Sequence, residues 1–401
     1  MTRATQPLVC VLVDAFRHDY LDPQRTPVLS AIAAEGSAVP LRPILGYSDS
    51  IRATIFTGTY PDESGYWMEY CYRPDESPFK PAARFAAVDA FPSDLAQRVL
   101  KFGLSKVLMP RVARRRGYES LHLRHFPFRA MPFLDYTLHE SMTAPGALGV
   151  PTIFDRVTAA GMNWAYFSSS ELRRTSLLRA GENLPADTDL VFVYLHQVDM
   201  ASHLWGIESP RFRKAVHATD ALTGEVLART RARLGEHNTL IFSDHGMSQI
   251  RDWVAIPELL RHRDFGTRFC AALDATMVRL WYFDSDTALR DELRALVASR
   301  FPGHFLTPTE LVDLHVDFAD RRYGDEIFLI APGTVVHPNF HSYLRPKAMH
   351  AYHPDEPEQQ GILVTSEGAS HLVGEKADMI DIAPLIGRLC SLPEPISTLD
   401  S

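Results

Sequence analysis

What most limits the fold of this chain is a series of short apolar runs that do not alternate with polar residues and are separated by helical patterns. Residues 8–13 (LVCVLV), 164–167 (WAYF), 190–195 (LVFVYL), 239–242 (TLIF), 277–283, 326–330 and 361–365 read as strands. Strict alternation would mark a sheet with one wet face; its absence marks strands covered on both faces. Helical patterns fall at 151–160, 209–234, 288–300 and 379–389. Another opens at Thr26, as N-cap, with Pro27 at the first helical position, and Gly36 closes it. The expectation is an α/β fold, a mainly parallel sheet flanked by helices on both faces.

Two stretches break this rhythm. Residues 66–149, rich in Pro, Arg and aromatics, read as an inserted cap segment, and about 251–345 reads as partly cap-like. The core then comprises 1–65 and 150–401. At 401 residues the chain exceeds the size at which a single core stops growing. A composition of 46% hydrophobic and 22% charged residues excludes disordered and fibrous classes. The net charge of −8 argues against nucleic acid as a partner. Four scattered cysteines without a CxxC pair form neither a disulfide framework nor a thiolate zinc site, and fit a reducing compartment. The first apolar run is shorter than a signal peptide requires, and no run approaches the ~20 residues of a membrane span. The expected location is cytoplasmic.

In open α/β sheets ligands gather at the carboxyl ends of the strands. Three acidic residues lie just past such ends: Asp14 after VCVLV, Asp199 after LVFVYLHQV and Asp244 after TLIFS. Asp199 and His203 stand one helical turn apart, and His245 follows Asp244 directly. Carboxylate plus imidazole is a donor set for zinc, with manganese second.

These residues resemble the alkaline phosphatase superfamily, in particular its nucleotide pyrophosphatase/phosphodiesterase branch. DAFRHDYL at 14–21 is similar to that branch's D-G-F-R-x-x-Y-L, and TGTYPDESG at 57–65 to its T-G-x-Y-P-x-x-x-G. VDMASHLWG resembles D-x-x-G-H-x-x-G, SDHGM matches S-D-H-G-M, and MHAYHPD at 349–355 is similar to the late H-G-Y-x-P-D, with Ala351 where Gly is usual. The resemblance implies an alkaline phosphatase-like fold and two divalent metal ions, one held by Asp199, His203 and His350, the other by Asp14, Asp244, His245 and a nucleophile oxygen. Only the late motif selects His350 over His341, His353 and His371. Counting ten residues back from Gly58, the resemblance places the nucleophile at Ser48, with Ser50 as rival or as helix N-cap.

The branch carries Asn three residues past the nucleophile, where this chain has Ile51. Arg52 stands in the register of a sulfatase arginine, either as an oxygen contact or in a salt bridge behind the site. The implied function is hydrolysis of a small-molecule phosphate ester, a phosphodiesterase or nucleotide pyrophosphatase-like activity. A phosphomonoesterase, phosphonate hydrolase or sulfatase-like enzyme of the superfamily is the alternative, and a non-catalytic metal-binding module the more distant one. A basic segment at 98–116 reads as a solvated cap face or as a weak contact with anionic lipid.

Overall fold

The computed structural model describes residues 6–90, 99–103, 126–169, 174–342 and 344–393. Its main strands are β1 (Leu8–Val13), β2 (Ser37–Arg42), β3 (Asn163–Ser168), β4 (Thr188–Leu195), β5 (Asn238–Phe242), β6 (Phe269–Leu273), β7 (Met277–Tyr282), β8 (Gly303–Phe305), β9 (Glu326–Ile330), β10 (Gly361–Thr365) and β11 (Ala377–Asp378). The central sheet has the order β11-β2-β10-β5-β1-β4-β3. Every neighbouring pair is parallel except those of β10, which runs antiparallel to both β2 and β5.

The helices that cover the sheet are α1 (Pro27–Glu35), α2 (Ser48–Thr57), α3 (Ile153–Ala159), α4 (Arg174–Glu182), α5 (Gln197–Trp205), α6 (Pro210–Leu234) and, after the cap, α7 (Ile382–Leu389). Strand β1 shows why both faces must be covered, since all six of its residues are buried. Leu8, Cys10 and Leu12 pack toward α2, α3 and α7, while Val9, Val11 and Val13 pack toward α1, α4 and α6. Each buried aliphatic side chain contributes roughly 1.5–3 kcal/mol. A polar residue anywhere along this strand would forfeit that on one face or the other.

The start of α1 departs from the sequence reading. Thr26 is the N-cap residue, but its hydroxyl caps nothing in α1; it accepts the Asp22 N–H (2.9 Å) and donates to the Asp22 carbonyl (3.0 Å). Buried Asp220 of α6 takes its place, accepting the N–H groups of Val28 (3.1 Å) and Leu29 (2.9 Å). The helix is capped in trans, from a neighbouring helix.

The runs at 277–283 and 326–330 are strands, but not of the central sheet. They are β7 and β9 of a separate antiparallel sheet, β6-β7-β9-β8. Apolar side chains of this sheet share one cluster with Tyr70, Phe126, Phe128, Leu134 and Tyr136, so residues from both irregular stretches pack on a common core. Most of the basic segment 98–116 lies outside the described residues. Within it, Lys101 is buried and paired with Asp89 at 2.9 Å rather than presented to a surface. Among the described residues, no helix is long and apolar enough to cross a membrane.

Candidate active site

The carboxyl ends of β1, β4 and β5 meet at one point, and each delivers an acid. Asp14 follows β1 directly, Asp244 stands two residues past β5, and Asp199 lies in the first turn of α5, which follows β4. Ser243 ties two of these tips together: its hydroxyl accepts the Phe16 N–H (2.9 Å) and donates to the His245 carbonyl (2.7 Å). Gly246 has no room for a side chain, because a Cβ there would lie 2.1 Å from the Glu358 carbonyl oxygen. Ala15 and Ala351, where the resembling motifs have glycine, both hold left-handed backbone (φ 60° and 66°) beside Asp14 and His350. Such strain in non-glycine residues concentrates at functional sites.

The donor atoms follow a common pattern, with one side held by protein and the other left over. Asp14 Oδ2 accepts the Tyr194 hydroxyl, while buried Asp14 Oδ1 has no hydrogen-bond partner. Asp244 Oδ1 accepts the N–H groups of Ala15 (3.3 Å) and His245 (3.1 Å), while Oδ2 has none. His245 Nδ1 faces the Gly246 carbonyl (2.8 Å) and His203 Nδ1 the Ala348 carbonyl (2.8 Å), which turns both Nε2 atoms inward. His245 Nε2 then lies 3.0 Å from Ser48 Oγ, 3.3 Å from Asp14 Oδ1 and 3.6 Å from Asp244 Oδ2. His203 Nε2 lies 3.0 Å from Asp199 Oδ1. The His350 ring stacks on His245 at 3.7 Å, and its buried Nδ1 has no partner.

Electrostatics say what such a cluster can hold. Burial and the neighbouring Asp244 and Asp199 carboxylates push Asp14 well above the usual range. Burial pushes Asp244 up to about 6. His350 is driven down, by burial and then by the neighbouring imidazoles, which leaves it neutral and able to donate a lone pair. Burial also opposes the charge on His203, but Asp199 outweighs it and raises the ring to about 9. Clustered buried carboxylates are tolerated when a cation compensates them. Donor atoms of Asp199, His203 and His350 lie close enough together to hold one metal ion, as do those of Asp14, Asp199 and His245. Asp199 stands at the junction of the two groups. The orphaned oxygens, inward imidazoles and donor chemistry all fit divalent metal.

Ser48 is the first residue of α2 and is partly exposed at the mouth of this cluster. Its neighbours in the first turn offer N–H groups without intrahelical partners. Ser50 is buried, and its hydroxyl turns back to the Tyr47 carbonyl at 2.7 Å. Ser50 is therefore not the N-cap; Tyr47 holds that position and no side chain caps the helix. The Arg52 guanidinium pairs with Asp49 and lies over the Tyr194 ring at 4.9 Å, behind Asp14.

Ser48, Asp199, His203 and His350 line a cleft of about 240 Å³. Its other wall comes from the cap: Glu69, Asp274, Arg279 and His341. His341 thus faces the site without joining the cluster, while His353 lies beside Asp355 and His371 is exposed. Sequence reasoning missed Tyr194, Glu69, Asp274 and Arg279. Arg279 did carry a signal, as a charged residue in the middle of the apolar run MVRLWY.

Comparison with known proteins agrees with this fold. Residues 8–304 match the family model of type I phosphodiesterase / nucleotide pyrophosphatase. The fold is similar to that of murine ectonucleotide pyrophosphatase / phosphodiesterase 5, solved as an inactive Thr-to-Ala variant in complex with AMP. The two are 17% identical, with a TM-score of 0.66 over 98% of this chain and 96% of that one. The human protein of the same name is 14% identical, with a TM-score of 0.68 over the same shares. No curated protein matches the chain. With its α/β core and its cluster of metal-ligand type at the strand ends, the chain belongs to the type I phosphodiesterase / nucleotide pyrophosphatase family, metal-dependent hydrolases of phosphoric ester bonds.

Proposed function

We propose that this enzyme hydrolyses a small-molecule phosphodiester or nucleotide pyrophosphate through a covalent intermediate on Ser48. The observation that carries the reading is the 3.0 Å approach of Ser48 Oγ to His245 Nε2 at the edge of the buried carboxylate cluster. Two divalent ions, with zinc the best match to the donors and manganese second, would be held by Asp199, His203 and His350 and by Asp14, Asp244, His245 and Ser48, and would supply a lowered hydroxyl pKa and charge compensation for the phosphoryl group.

Ser48 Oγ attacks phosphorus in line, losing its proton to water as the Oγ–P bond forms and the bond to the leaving oxygen breaks. The leaving group departs as an alcohol or phosphate. Water then attacks the same phosphorus, the Oγ–P bond breaks, and the Ser48 hydroxyl is restored. The free N–H groups at the start of α2 offer hydrogen bonds to the non-bridging oxygens throughout. The solved murine relative's complex with AMP supports a nucleotide-type ligand in a cleft of this fold.

Turnover of bis(4-nitrophenyl) phosphate tests the metal requirement. Exhaustive chelation is expected to abolish it and added zinc or manganese to restore it. Full activity in protein shown to be metal-free would contradict the proposal and point instead to a Ser48–His245 pair acting alone.

A further inference from the structure

The cap wall of the cleft carries a charged network of its own, separate from the carboxylates and imidazoles at the strand tips. Arg279 of β7 is fully buried; its Nε donates to Asp274 Oδ2 at 2.7 Å and its Nη1 to the Tyr70 carbonyl at 3.1 Å. The second Asp274 oxygen lies 3.1 Å from His341 Nε2. The backbone of His341 is fixed as well, since its N–H donates to Asn339 Oδ1 (2.9 Å) and the preceding Phe340 N–H to the Leu273 carbonyl (2.8 Å). His341 Nδ1 then faces Glu69 Oε2 at 4.0 Å. Tyr47 spans the gap between the walls, its ring 5.3 Å from that of His341 and 5.6 Å from that of His350.

Charge accounting across this wall leaves one group exposed to the ligand. Arg279 is matched by Asp274, so Glu69 is opposed chiefly by His341, with Arg52 a weaker, more distant cation. A phosphoryl group in the cleft must therefore sit opposite a carboxylate and one imidazole in a space partly stripped of water. A diester carries a single negative charge, whereas a monoester near neutral pH carries nearly two. Across about 6–12 Å at an effective dielectric of about 20, one further unit of like charge is worth about ten- to a hundredfold in binding.

We propose that Glu69 and His341 form a charge filter on the cap wall that admits singly charged phosphodiesters and rejects doubly charged monoesters. The filter rests on the reading of Ser48 as the nucleophile of this cleft. His341 sets its strength: paired with Glu69 it moderates the repulsion, and the Asp274–Arg279 pair holds it in place to do so.

The test compares kcat/KM for 4-nitrophenyl phosphate and bis(4-nitrophenyl) phosphate with metal-loaded protein near neutral pH. Glu69→Gln keeps the shape and removes the charge, and is expected to raise the monoester-to-diester ratio about tenfold or more. Glu69→Asn, a shorter second variant in case the first folds poorly, should move the ratio the same way. His341→Asn removes the nearest group opposing Glu69 and should lower the ratio by a similar factor. A merely structural role would depress both activities together and leave the ratio where it was; an unmoved ratio in folded Glu69 variants overturns the filter. Ser48→Ala is run beside them. Its loss of both activities keeps the nucleophile reading and lets the ratio alone decide the filter, whereas its retention of both would overturn the nucleophile and the filter with it.

Discussion

Tyr194 shows how much of this site is set by side chains that need never touch a phosphate. Its hydroxyl holds one Asp14 oxygen, leaving the other free and buried, and its ring lies under the Arg52 guanidinium. Groups that orient proposed metal ligands in this way typically matter ten- to a hundredfold in affinity. Tyr194→Phe removes only the hydroxyl, and zinc titration calorimetry should show affinity falling by about that factor; an unchanged affinity would mean Asp14 is oriented without it. Tyr194 was invisible in the sequence because LVFVYL reads as core, and most of its residues are core. Ser48 was reachable only by counting back from Gly58. Ser50 was misplaced as a cap because nothing in SDSIR says that Tyr47 takes the N-cap position.

At the scale of elements, the strand ends were legible and their partners were not. Asp14, Asp199 and Asp244 stand out because each follows an apolar run, where ligands gather in an open α/β sheet. The cap on α1 could not be read, since Asp220 sits in a different helix and its N–H partners are Val28 and Leu29. Asp220→Ala removes both contacts and should cost about 1–2 kcal/mol in a denaturant titration, a loss of the size seen for N-caps. A change of a few tenths would mean that water replaces the carboxylate at the helix start. The runs of β7 and β9 read as strands inside the partly cap-like stretch, but the sequence does not say which sheet they join. Apolar periodicity reports burial, and burial is the same whether a strand lies in the core sheet or under the cap.

For the whole molecule, the clustered acids make stability depend on both pH and metal. Asp244, raised by burial to about 6, has a folded pKa above its unfolded value. In metal-free protein its contribution is fully present below about pH 4 and lost as pH rises through about 6, an effect on the order of 3 kcal/mol. Bound cations reverse the sign by favouring the ionised carboxylates. The thermal midpoint gained on adding zinc should therefore be distinctly larger near pH 7 than near pH 5. An equal gain at both values would show that the cations do not engage these acids. On the proposed reading all of this serves one chemical event, transfer of a phosphoryl group to Ser48 at the start of α2. The most direct measurement is an acid quench during turnover of bis(4-nitrophenyl) phosphate, followed by peptide mass mapping. A 4-nitrophenyl phosphoryl adduct is expected on the peptide carrying Ser48, assigned to that residue by fragmentation and missing in Ser48→Ala. An adduct on Ser50, or Ser48→Ala turning over at a near-normal rate, would contradict that reading.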